Sequence, residues 1–375
     1  MILMALDHVR DYFHADAFVH SPTDLAHTTP ALFFTRWVTH YCAPVFVFLA
    51  GVSARLYGAT RSRRDLSRFL LTRGLWLVCV ELFVVSLFRT FNPAYPFWNL
   101  QVIWAIGVSM IALAAMTHLS ERALLATGLV IVGAHDLLDS VHVAGDGIAA
   151  FLWALLHDRR VFACGHATVR VAYPLLPWIG TMVLGYACGR IYLTGRDTHE
   201  RRRSLRHAGW AAVAFFVVVR AAHGYGDPAD WAPQTTILFT LMSFLNVTKY
   251  PPSLLYLTMT LGPALLFLAS EKRAAEGLSA RIRVFGRVPM FYYLAHILLI
   301  HVLATVAAVA SGRGPSAMVL ASDVTDATTL RGYGFGLAGV YGIWVVVVAA
   351  LYPCCKWYDG YKRRHLSEHA WLSYL

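Results

Sequence analysis

The sequence predicts an all-α membrane protein, a polytopic helix bundle of about ten transmembrane helices. It forms a single integral-membrane domain over residues 1–375, with both termini in the cytoplasm. Two observations predict the class. Mean hydropathy is +0.54, 58% of residues are hydrophobic and 14% are charged, against about a quarter charged in soluble domains. Apolar runs recur at lengths near the roughly 20 residues that a helix needs to cross a hydrocarbon layer about 30 Å thick. A third observation, the distribution of Lys and Arg, predicts the orientation.

The first run is the opening "MILMALDHVRDYFH". From Met1 to Phe13 it has 13 residues, or about 20 Å of helix. That is short of the bilayer core and predicts a first helix that starts upstream of Met1. With no basic leader and no small-residue cleavage site, it does not read as a signal peptide. The runs that follow are Phe33–Tyr57, Phe69–Phe88, Trp98–Met116, Ala123–Leu138, Tyr173–Leu193, Gly209–Ala222, Pro252–Ala269, Pro289–Ala310 and Gly334–Pro353. "GIAAFLWALLHD", within the connection 139–172, is too short to cross and is expected to lie along the surface or to re-enter.

Orientation follows from the basic residues. If the chain starts inside, the inside connections carry Arg61, Arg63, Arg64 and Arg68, then Arg122, Arg196, the "RRRSLR" tract, Lys272, Arg273, Arg281, Arg283 and Arg287, and the basic tail. The first outside loop, 14–32, carries no Lys or Arg. This is the positive-inside pattern of a multi-pass cell-membrane protein. It also accounts for the net charge of +11 through contact with anionic lipid heads, so no nucleic-acid partner is expected. The six Cys include no CxxC pair and read as small apolar residues.

Ionisable groups inside a membrane are costly and normally face a protein-lined cavity. The first helix carries Asp7, His8 and Arg10, and the second Arg36 and His40 at i, i+4 on one face. His296 and His301 lie on the ninth, beside Tyr292 and Tyr293. Lys249, Tyr250 and Ser253 stand at the outer rim, before the eighth. Counting from the outer ends puts His8 about 8 Å deep and His40 about 12 Å deep. His296, counted from the inner end, lies about 10 Å from the cytoplasmic surface. The expectation is therefore a His8–His40 pair in the outer half, with Asp7 or His40 orienting the base. Arg10, Arg36, Lys249, Tyr250, Ser253 and His296 are expected to bind substrate. His14, His20 and His27 match no zinc spacing, so no metal is expected.

Several blocks together, "MALDHVRDYF", "FFTRWVTHYCAPVFVFLAG", "YPLLPWIGTMVLGYACGR", "KYPPSLLYLTMTLGP", "FGRVPMFYYLAHILLIH" and the closing "WLSYL", resemble the bacterial relatives of heparan-α-glucosaminide N-acetyltransferase, within the wider transmembrane acyltransferases. The resemblance runs from end to end. It implies transfer of an acyl group, acetyl first of all, from cytoplasmic acyl-CoA (acetyl-CoA) to a hydroxyl or amine of an extracytoplasmic sugar or envelope glycan. His8 then occupies the place of the superfamily's His. On this reading Arg61, Arg63, Arg64, Arg281, Arg283 and Arg287 bind the CoA phosphates, and His8 acts as general base with His40 and Asp7. Arg10 or Arg36 stabilises the oxyanion. A homo-oligomer is compatible with all of this. The alternative is a proton-coupled transporter or a lipid or glycan exporter.

Overall fold

The computed structural model of the chain describes residues 1–193, 195, 197–270, 277–366, 368–369 and 372. Arg196, Lys272, Arg273 and all of the closing "WLSYL" except Leu372 lie outside the described residues. The chain is mostly helical. In order it forms α1 (Ile2–Phe13), α2 (Pro30–Thr39), α3 (Cys42–Gly58), α4 (Arg63–Cys79), α5 (Ser86–Thr90), β1 (Phe97–Leu100), α6 (Val102–Met116), α7 (Glu121–Ala134) and α8 (Ile148–Leu156). A hairpin of β2 (Arg160–Cys164) and β3 (Ala167–Val171) follows, then α9 (Leu175–Cys188), α10 (Thr198–Ala222), α11 (Ile237–Leu245), α12 (Leu254–Ser270), α13 (Leu278–Arg287), α14 (Pro289–Ala310) and α15 (Leu337–His365).

Five helical stretches among the described residues are long and apolar enough to cross a membrane: Pro30–Gly58, Arg63–Thr90, Thr198–Ala222, Pro289–Ala310 and Leu337–His365. The sequence runs overestimate several others. Trp98–Met116 opens in strand β1, which leaves α6 with 15 residues. The run Tyr173–Leu193 narrows to α9, 14 residues between Pro174 and a 3₁₀ turn at Gly189. The "RRRSLR" tract is no loop: it lies on the first turns of α10, since Arg and Leu are good helix formers. α11 was hidden in a connection.

The expected second helix is also interrupted. α2 ends at Thr39 and α3 begins at Cys42, with His40 and Tyr41 in a turn between them. Pro44 explains the break, because its nitrogen cannot donate to the carbonyl of His40 four residues earlier. His40, expected on a continuous helix, is instead the C-terminal cap of α2.

The chain divides into two compact units. The first comprises Met1–Cys42, Phe83–Phe97 and Lys272–Leu375. Its core is built from α1, α13, α14 and α15, where Ala5, Val9, Tyr12, Val288, Tyr292, Ile300, Val340 and Val347 are buried. The second comprises Ala43–Leu82 and Trp98–Glu271. It includes the three-stranded sheet of order β1-β3-β2, whose hairpin pairs Arg160 with Val171 and Cys164 with Ala167.

Within the second unit, glycines let helices meet backbone to backbone. A Cβ at Gly185 on α9 would sit 2.0 Å from the Phe48 carbonyl oxygen of α3, and one at Gly51 would sit 2.1 Å from that of Met182. Small residues at helix crossings are how membrane helices gain packing without a hydrophobic driving force between them.

The same unit holds a buried carboxylate. Between α4 and α5 the helix widens into a π turn over Val80–Val85, and Glu81 projects from it, 1% exposed. It accepts from the amides of Ile103 (3.0 Å) and Trp104 (3.2 Å) at the start of α6. Gln101 makes no side-chain cap there, so Glu81 serves as the cap and meets the positive end of the helix dipole. Glu81→Ala is expected to cost about 1.5–3 kcal/mol, the range for hydrogen bonds to a charged group. Thermal unfolding in detergent measures it, and Glu81→Gln should recover only part.

Candidate active site

The site lies within the first unit and is organised by α1. Ala5, Val9, Tyr12 and Phe13, spaced three and four apart, turn inward and are at most 1% exposed. The sequence between them sets Asp7, His8, Arg10 and Asp11 on the remaining face. Asp7 is clamped by two guanidiniums: Arg10 donates at 3.0 Å to Oδ1, and Arg36 of α2 donates to Oδ2. Arg10 also donates to Asp11 at 2.7 Å.

A third guanidinium completes the network. Arg89, at the end of α5, is 8% exposed. It donates to Asp323 Oδ2 at 3.1 Å and faces His8 Nδ1 at 3.3 Å. Its carbonyl accepts from the Tyr12 hydroxyl at 2.6 Å, and Asp323 is fixed in turn by the amide and hydroxyl of Thr325. Arg10 and Arg36 thus compensate the part-buried Asp7 and Asp11, and Arg89 compensates the buried Asp323, which is how charges taken out of water are normally kept balanced.

His8 packs against α14. Its ring lies 5.2 Å from that of His296 and 6.4 Å from that of Tyr293. α1 and α14 run parallel, since Tyr12 likewise meets His301 at 5.0 Å. Measured from the starts of these two helices, His8 and His296 stand six and seven residues in, hence level. Counting the two residues from opposite membrane surfaces had separated them. Asp7, expected to orient the base, accepts from Arg10 and Arg36.

The hydrogen bonds assign the tautomers. A guanidinium only donates, so His8 Nδ1 accepts from Arg89 and the neutral ring carries its proton on Nε2. His296 is the converse. Its Nδ1 is 2.8 Å from the carbonyl of Tyr292, an acceptor, so Nδ1 carries the proton and Nε2 is a bare lone pair. That nitrogen is buried without a hydrogen-bond partner, and the residue is 0% exposed. The pair therefore offers one N–H donor and one proton acceptor, and the acceptor is on His296. His301 is engaged otherwise: its two nitrogens contact the carbonyls of Phe88 (2.8 Å) and Met318 (2.9 Å), and its ring stacks on Phe91 at 3.7 Å. It latches three segments together.

The rim residues belong to the second unit. Ser253 donates to the buried Asp227 at 2.7 Å and accepts from the Tyr256 amide, capping α12. Tyr250 lies under both Lys249 and Arg159, at 5.1 and 5.2 Å. Tyr250 and Ser253 line a cavity of about 140 Å³ shared with Asp136, Asp139, His157 and Asp158. The basic residues assigned to CoA divide between the units. Arg61 packs over Tyr57 and Arg63 donates to the His118 carbonyl in the second, with Arg64 beside them. Arg281, Arg283 and Arg287 lie on α13 in the first, where Arg287 is held by Asp359 at 2.8 Å.

Sequence reasoning missed Arg89 and Asp323. Arg89 carried a signal, an Arg closing the apolar run "LFVVSLFR", but an Arg at the end of a membrane-length run reads equally as a charge in the following loop. Asp323 stands in a polar connection between 3₁₀ turns, where nothing separates it from solvated aspartates.

Helices of membrane-crossing length around a buried His–Arg–Asp cluster define an integral membrane protein with an internal polar site. Residues 1–222 match the family model described as heparan-alpha-glucosaminide N-acetyltransferase, catalytic. The match covers more than half of the chain, and the chain belongs to that family. Membership carries the class, a membrane acetyltransferase, and does not favour the exporter reading. The match includes Asp7, His8, Arg10, Arg36 and Arg89, whereas His296 and Asp323 lie beyond it. A comparison with curated proteins finds no match.

Proposed function

We propose that the protein moves an acetyl group from acetyl-CoA to a hydroxyl or amine of an extracytoplasmic sugar or envelope glycan, with His296 as general base and His8 as hydrogen-bond donor. The observation that carries this is the complementary pair of tautomers. His296 Nε2 is oriented by a backbone carbonyl and free to take a proton, while His8 Nε2–H can support the charge that develops on the thioester oxygen. His8, the partly exposed member, marks the side from which substrates reach the pair. Arg89 holds His8 in its tautomer, as the third group of a catalytic constellation does.

The family and the distribution of charge support the rest of the reading. Acetyl-CoA approaches from the cytoplasm, where phosphates meet Arg61, Arg63, Arg64, Arg281 and Arg283. The chain crosses the cell membrane about ten times with both termini inside, by the positive-inside rule. The unit with the 140 Å³ cavity offers carboxylates and hydroxyls suited to a sugar.

The test is incubation of the protein in membrane vesicles with acetyl-CoA labelled in the acetyl group. The expected result is label in envelope glycan together with release of CoA. CoA release without labelled glycan would remove the acceptor class, and no turnover with any hydroxyl or amine acceptor would remove the reaction. Reversing Arg61, Arg63 and Arg64 to Glu should raise the KM for acetyl-CoA at least tenfold, while kcat changes less. An unchanged KM would take the donor away from these residues.

A further inference from the structure

The connection between α1 and α2 gathers three metal-ligating side chains that the mechanism does not use. His20, Asp24 and His27 bring one ligand atom each to within 4.8 Å of one another. Their spacing, H-x₃-D-x₂-H, matches no familiar zinc motif, and the fold shows why it works nonetheless. Two successive turns close on Ser21 and Asp24: the Asp24 amide bonds to the Ser21 carbonyl at 3.0 Å, and the His27 amide to that of Asp24 at 3.1 Å. The chain reverses, and the imidazoles of His20 and His27 come to lie face to face, 3.9 Å apart and 5° from parallel. Asp24 binds His27 Nδ1 through Oδ2 at 2.8 Å and accepts the Ala26 amide through Oδ1 at 3.0 Å. Those two bonds fix the carboxylate in place beside the imidazoles.

From this cluster we infer a binding site for one divalent zinc-type ion, with His20, Asp24 and His27 as ligands and an open fourth position. Two imidazoles with one carboxylate select zinc and its neighbours over magnesium or calcium. Zinc bonds of about 2.0–2.2 Å set tetrahedral donors roughly 3.4 Å apart, so ligand atoms now within 4.8 Å of one another close by up to about 1.4 Å. Exposed side chains, half-accessible for His27, reach this by rotation alone. The ion would bind an unprotonated ring nitrogen of His20 and of His27 and one oxygen of Asp24. Bound there, it staples the connection that ends at Thr29, the N-cap of α2, and so stiffens the approach to Arg36.

Titrating the full-length protein in detergent with Co²⁺ alone, followed by displacement with Zn²⁺, tests the site. One equivalent of Co²⁺ should give the visible absorption of a tetrahedral ion and lose it to Zn²⁺. His20→Ala and His27→Ala should each weaken binding at least tenfold, and Asp24→Asn severalfold. Zn²⁺ should raise the midpoint of thermal unfolding of the wild type but not of either His variant. With 17 His in the chain, titrations of both variants indistinguishable from wild type would place the ion elsewhere and overturn the assignment. An absence of stoichiometric binding by the wild type would overturn it as well.

Discussion

His296→Gln is expected to lower acetyl transfer by about 10²–10⁴-fold, the usual contribution of a positioned general base, or about 3–5 kcal/mol of barrier. Gln keeps the length and polarity of the side chain, so it can fill the space between Tyr292, Tyr293 and His8. What it cannot do is take a proton at neutral pH. Binding of acetyl-CoA and thermal unfolding should change little, which separates loss of chemistry from loss of fold. His8 should behave differently. Its working atom in this account is the Nε2 proton, and the Gln amide supplies a donor at a similar reach. His8→Gln should therefore retain a substantial part of the activity, while His8→Ala should lose about 10²–10³-fold, as enzymes do when one oxyanion donor is removed. Initial rates of CoA release by the three variants, at saturating donor, give the comparison.

Arg89→Ala is expected to be the most damaging single change to the fold of the first unit. It strips a buried carboxylate, Asp323, of its cation and leaves His8 Nδ1 without its donor. Breaking a buried pair from one side costs about 3–5 kcal/mol, because the remaining charge stays out of water. Lys should not rescue it, since a single ammonium cannot reach both Asp323 and the imidazole as a planar fork does. The double variant Arg89→Met, Asp323→Leu removes both charges, and much of the stability should return. Activity should not, because nothing then holds His8 in its tautomer. Thermal unfolding in detergent, read beside turnover on the same preparations, distinguishes the two roles of Arg89. Recovery of both together in the double variant would show that Arg89 matters for folding alone.

The class of fold was legible because lipid imposes long apolar helices, and α14 matches its sequence run Pro289–Ala310 at both ends. Helix ends were less legible where a side chain far away in sequence decides them. Glu81 caps α6 across 22 residues, and Pro44 breaks the second run by a hydrogen bond it cannot make. In the site, the ionisable cluster on α1 announced itself, since Asp7, His8 and Arg10 have no business in an apolar helix unless they meet partners. Their partners did not. That His8 meets His296 depends on α1 and α14 packing side by side, and periodicity does not say which helices are neighbours. The tautomers were further still from view: they follow from a guanidinium 81 residues away for His8, and from a carbonyl one turn away for His296.

The rates of His296→Gln and His8→Gln, measured side by side with acetyl-CoA in the same membranes, test the central assignment most directly. The account predicts that His296→Gln is reduced at least a hundredfold while His8→Gln keeps a tenth or more of wild-type turnover. The reverse order, with His8→Gln inactive and His296→Gln near normal, would contradict it and make His8 the base.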